Sequence, residues 1–95
     1  MIVGTLSIAL RLPGAKTLKD KRKIVRGMIE VLRRRFGVSA AEVDDLTLSG
    51  NATIGIAFVS ASKTQVEKTL QAACDFVEAH AEIEIYDICQ EIDSC

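Results

Sequence analysis

The sequence predicts an α+β domain in two layers, a four-stranded antiparallel sheet covered on one face by two helices. Three observations predict it. Two stretches, Ile2–Leu12 and Ala52–Val59, alternate large apolar with small or polar residues at period two. Two others, Leu18–Phe36 and the segment after Ser62, place their apolar residues at helical spacing behind a capping hydroxyl. Their order, with a short strand before the second alternating stretch and a last strand at the end, is β-α-β-β-α-β. At 95 residues, 48% of them hydrophobic, the chain is one domain with enough apolar side chain for a core.

In the first strand Ile2, Gly4, Leu6, Ile8, Leu10 and Leu12 share one parity, and Val3, Thr5, Ser7, Ala9 and Arg11 the other. Pro13-Gly14 ends it. Thr17-Leu18-Lys19-Asp20 is an N-cap with an acid three residues on, a variant of the capping box. In the helix that follows, Leu18, Val25, Met28, Ile29, Leu32 and Phe36 gather on one arc, flanked by Ile24 and Val31. Lys19, Lys23, Arg26, Arg33 and Arg34 gather opposite, with Arg22 at the edge. Gly37 suits the helix end, and Lys21 and Arg35 can snorkel from the apolar arc.

Val38–Asp44 reads as a short strand, and residues 45–51 as the connection, with Gly50-Asn51 its best turn formers. In the next strand Ala52, Ile54, Ile56 and Phe58 oppose Thr53, Gly55, Ala57 and Val59. Ser62-Lys63-Thr64-Gln65 opens the second helix as a capping box, with Val66, Leu70, Ala73 and Val77 as its core stripe and Phe76 beside it. Ile83–Ile92 is the last strand. Its apolar parity shifts between Ile85 and Ile88, which predicts a bulge or a change of exposed face. Right-handed crossovers put the first and third strands in the centre, the ferredoxin-like arrangement. The small parities of those two strands then form the face away from the helices.

Charge is strongly polarised. Ten of the twelve Lys and Arg residues lie between Arg11 and Phe36, opposed there only by Asp20 and Glu30, so that segment is formally +8. Residues 37–95 carry Lys63 and Lys68 against eleven acids, formally −9. The net charge of −1 hides this split. Lys16, Lys19, Arg22, Lys23, Arg26 and Arg33 are the candidate phosphate-binding residues. The free N–H groups of the capped helix start, with Lys16, Lys19 and Lys23 nearby, suit a phosphate, and Arg22, Arg26 and Arg33 form a stripe able to track a nucleic-acid backbone without reading its sequence. A solvated basic helix, or a dock for an acidic protein, is the competing interpretation. Base stacking on the sheet, as in RNA-recognition motifs, is excluded because the central strands' small parities hold no aromatic.

Other chemistry is sparse. Cys74, Cys89 and Cys95 have no C-x-x-C spacing and fit a reducing cytoplasm; Cys74 reads as packing. His80 is the single histidine, near a helix end, so no zinc site and no catalytic base are expected. Glu42, Asp44 and Asp45 read as a solvated turn rather than a metal site. No run is long enough to span a bilayer, and the apolar N-terminus alternates like a strand rather than a signal peptide. The expectation is a cytoplasmic, non-enzymatic protein without cofactor or metal. Its competitors are a homodimer or interaction module joined by the small-residue sheet face or an edge strand, with the helix docking an acidic partner, and a small-molecule domain, which would need a concave pocket lined by convergent polar groups.

The residues LPG…LKxKR (Leu12–Arg22), VSxAEVD (Val38–Asp44) and GIAxVS (Gly55–Ser60) resemble the YlxP-like proteins, a family of small bacterial proteins of unknown function. The resemblance extends to about Glu91. Thr17 stands where that family often has Ser, and residues 45–51 lack the Trp often found there. The resemblance implies a ferredoxin-like fold. It also implies a translation context, since genes of the family often lie beside those for ribosome-binding factor A and a translation initiation factor. Ribosomal RNA or a ribosomal subunit is therefore the expected anionic partner.

Overall fold

The computed structural model describes residues 1–44 and 51–95. The elements are β1 (Ile2–Arg11), α1 (Leu18–Phe36), β2 (Ser39–Asp44), β3 (Asn51–Ser60), α2 (Lys63–Glu78) and β4 (Glu84–Ser94). They form one antiparallel sheet of order β2-β3-β1-β4. The fold is the ferredoxin-like one, with the two most regularly alternating strands in the centre. Asn51, expected in a turn, is the first residue of β3, paired with Arg11. Residues 45–50, and with them most of the expected connection and the Asp45 member of the acid cluster, lie outside the described residues.

Register explains the layers. Directly opposed residues of an antiparallel pair project to the same face. Leu6, Ile8 and Leu10 stand opposite Ile56, Ile54 and Ala52, and all six are buried beneath the helices. Val25, Met28 and Leu32 of α1 and Val66, Leu70 and Val77 of α2 complete this core. Each fully buried Leu, Ile or Val contributes on the order of 1.5–3 kcal/mol. α2 packs on β1, β3 and β4, while α1 lies over β2 and beside α2. The Phe36 and Phe76 rings meet between the helices at 5.8 Å. α2 comes so close to β1 that a Cβ on Gly4 would lie 2.4 Å from Val66 Cγ1 and 2.7 Å from Leu70 Cδ1.

The expected bulge in β4 is present. Leu10 pairs with Ile85 but Ala9 with Asp87, so Tyr86 is the extra residue. Its ring lies under the Arg11 guanidinium, 4.8 Å from carbon to ring centroid. The bulge resets the parity of the strand: Ile85, Ile88 and Ile92 share the helix side, and Asp87, Cys89, Glu91 and Asp93 share the open side, opposite Ala9, Ser7, Thr5 and Val3. The acids of β4 are thereby gathered on the sheet face away from α1.

Candidate nucleic-acid interface

α1 is set at both ends by local chemistry. Thr17, in extended conformation, accepts a hydrogen bond from the Asp20 backbone N–H at 3.1 Å. Gly37 closes the helix at φ 64°, a left-handed conformation that glycine adopts without a Cβ clash. Arg33, Arg34 and Arg35 occupy the last turn, where positive charge complements the helix dipole. Arg35 reaches along the Phe36 ring, 5.4 Å from its centroid, so a cation placed on the apolar arc escapes burial.

Lys16, Lys19, Arg22, Lys23 and Arg26 are all exposed. The last four line one open concave patch with Leu18, Gly27 and Glu30. Lys19 to Arg26 covers about 10 Å along the axis at 1.5 Å per residue. Among the described residues, none of these five cations pairs with a carboxylate. Arg33 is different: its Nε donates to the Ala40 carbonyl of β2 at 2.9 Å. Arg33, exposed like the other five, thus also ties α1 to the sheet edge through one of its five N–H donors, while among the described residues the other five cations have no such bond. The separation is topological, since α1 lies on one side of the sheet and the acids Asp87, Glu91 and Asp93 on the other.

The open sheet face carries Thr5, Ser7, Gly55 and Ala57 at its centre, beside Ala41 and Val43 of β2 and Cys89 and Glu91 of β4. No aromatic ring lies on the two central strands there, as the sequence predicted. Val43 and Val59, both more than half exposed, are the large apolar residues of the β2–β3 side.

Sequence reasoning passed over a groove beside α1. It is an open groove of about 540 Å³ between α1, the loop before it at Gly14 and Ala15, and the turn from α2 into β4. Ile24, Met28, Val31 and Phe76 supply its apolar part, and Asp20, Lys23, His80 and Glu82 its polar part. His80, expected as a surface residue at a helix end, is half-buried, and its Nδ1 accepts from the Glu82 N–H at 3.3 Å. Gly27 lines both this groove and the cationic patch. A glycine inside a helical pattern is the one sequence signal that could have pointed here.

Cys74 is buried in α2. Burial pushes its thiol up, and the Glu78 and Asp75 carboxylates add to this, so the nucleophilic thiolate is disfavoured. Ser62 accepts from the Gln65 N–H at 3.2 Å, but the reciprocal half of the expected capping box is replaced: Gln65 Nε2 donates to Thr69 Oγ1 at 3.0 Å, and Ser62 N–H to Ser60 Oγ at 3.1 Å. No helix among the described residues is long and apolar enough to cross a membrane.

Comparison with solved structures gives the fold again. A structural-genomics protein, YJCS, superposes with a TM-score of 0.64 at 10% identity over 94% of this chain and 96% of its own. An amidase of the hydantoinase/carbamoylase family from Burkholderia phymatum superposes with a TM-score of 0.57 at 15% identity, over all of this chain and 28% of the amidase. In sequence, the chain is 34% identical over 70 residues to the uncharacterized protein YlxP of Bacillus subtilis (strain 168), covering 74% of this chain and 76% of that one. The family model described as protein of unknown function (DUF503) matches residues 3–90. With the match spanning nearly every element from β1 into β4, the chain belongs to the DUF503 family.

Proposed function

We propose that this is a cytoplasmic, non-enzymatic RNA-binding protein whose partner is ribosomal RNA, in a ribosomal subunit or an assembly intermediate. α1 is the contact surface, and Lys16, Lys19, Arg22, Lys23 and Arg26 meet phosphates. One observation carries the reading: five exposed cations on one side of the molecule, with the acids of β4 held on the other side of the sheet. A surface so arranged attracts a polyanion by counterion release and positions it without reading bases. Arg33 contributes less, because its Nε is committed to Ala40.

The test is co-sedimentation with purified small ribosomal subunits. An Arg22→Glu/Arg26→Glu variant alters only exposed positions and leaves Arg33 in place. It is expected to keep its circular dichroism and thermal midpoint and to lose co-sedimentation. Unchanged co-sedimentation would reject the proposal.

A second reading, a homodimer joined through the open sheet face, is favoured by the exposed Val43 and Val59 beside the small residues of β1 and β3. Light scattering at two salt concentrations separates it from a monomer. A salt-independent dimer dissociated by Ala57→Glu supports it, and a monomer at both salts rejects it.

A further inference from the structure

Gly27 has no local justification. It lies mid-helix in α1, and a Cβ there would meet no heavy atom within 4 Å. Packing therefore does not require a glycine, while alanine favours a helix interior by about 1 kcal/mol. Gly27 lines both the cationic patch and the adjacent groove, as Lys23 does, and places no side chain at the notch between them.

The groove's lining combines apolar side chains with polar groups of both hydrogen-bonding senses. Phe76, Ile24 and Val31 offer apolar contact for a flat ring. His80 Nδ1 is occupied as an acceptor, which leaves Nε2 as the N–H donor of the neutral ring. The carboxylates of Asp20 and Glu82 accept only. Lys23 belongs to both the groove and the patch, and Arg26 to the patch beside Gly27, so a phosphate held there is adjacent to the notch. About 540 Å³ is ample for one base and its ribose.

We infer that the groove between α1 and the α2–β4 turn seats one unpaired purine of the RNA strand whose phosphates lie on α1, with guanine preferred. Guanine presents N–H donors that a carboxylate can accept and acceptors, O6 and N7, that an imidazole N–H can meet. The inference rests on the phosphate-binding reading of α1 and adds base selection to it. The same chemistry could arrive as a free nucleotide, and the experiment separates the two sources.

Three probes are titrated into the intact protein at fixed salt: a ten-nucleotide oligouridylate with one central guanosine, the same strand with a central abasic site, and GMP. The guanosine strand is expected to bind about tenfold tighter than the abasic one, the scale of one stacked base. Gly27→Gln, which keeps a good helix former and adds a side chain between groove and patch, is expected to erase that tenfold difference; His80→Ala, at a residue that lines the groove and not the patch, is expected to reduce the guanosine preference while leaving abasic-strand affinity and its salt dependence unchanged. Equal binding of guanosine and abasic strands, both salt-dependent, overturns the base site and leaves the phosphate reading standing. Binding of neither strand overturns both. GMP alone binding as tightly as the guanosine strand overturns the RNA-tethered form in favour of a free nucleotide. A tenfold preference that survives Gly27→Gln overturns the placement in this groove.

Discussion

Gly4 and Gly55 look alike by distance and should behave differently. A Cβ on Gly4 would lie 2.4 Å from Val66 Cγ1 and 2.7 Å from Leu70 Cδ1; one on Gly55 would lie 2.6 Å from Val43 Cγ1. Val66 and Leu70 are fully buried in α2 and have nowhere to go. Val43 is 59% exposed and can move outward. Overpacking a closed core costs about 1–3 kcal/mol. Replacing glycine by alanine returns about 0.4–1 kcal/mol through the unfolded chain. Gly4→Ala should therefore lose a net of about 1.3 kcal/mol at the middle of these ranges, or about 5–10 °C in thermal midpoint for a domain of this size. Gly55→Ala should change stability by less than about 0.5 kcal/mol. Thermal and urea unfolding by circular dichroism measure both. Val66→Ala added to Gly4→Ala should recover part of the loss, a coupling a double-mutant cycle reads directly. If Gly4→Ala were neutral, or Gly55→Ala the more damaging of the two, α2 would not sit on β1 as described.

Further predictions concern the cap and the thiols. Thr17→Ala removes the acceptor for the Asp20 N–H and should cost about 1 kcal/mol, whereas Thr17→Asp should retain most of the stability; urea midpoints decide. Cys89 and Cys95 should react with Ellman's reagent in the native protein, and Cys74 only on unfolding. The folded Cys74 thiol titrates above its ordinary value of 9.0, so below that pH both states keep the proton and stability is unaffected. Above it the unfolded chain ionises first and stability falls, until the folded thiol ionises too. The stability advantage of wild type over Cys74→Ala should thus shrink as pH rises past about 9.

The parts of the fold that are local in sequence were legible. Alternation in β1 and β3, the hydroxyl caps at Thr17 and Ser62, Gly37 and the parity shift ahead of Ile88 each report a backbone preference within a few residues. What was not legible depends on contacts distant in sequence. Arg33 belongs to the basic arc by periodicity, and only the arrival of Ala40 on β2 turns its Nε inward. The groove needs α1 and the turn at His80 brought together across the second half of the chain. His80 alone carries no sign of this, and Gly27 shows only that a side chain is missing. The segregation of β4 acids from α1 cations also follows from register, because the bulge at Tyr86 decides which face Asp87, Glu91 and Asp93 take.

The central claim, that the outward cations of α1 hold RNA phosphates, is met most directly by the salt dependence of single-stranded RNA binding. Five contacts at about 0.7 each predict a slope of log affinity against log salt near −3.5, or about a hundredfold loss between 50 and 200 mM. Arg22→Gln/Arg26→Gln should reduce the slope to about −2 with the fold intact. A slope near zero, or one that the double substitution leaves unchanged, would contradict the account.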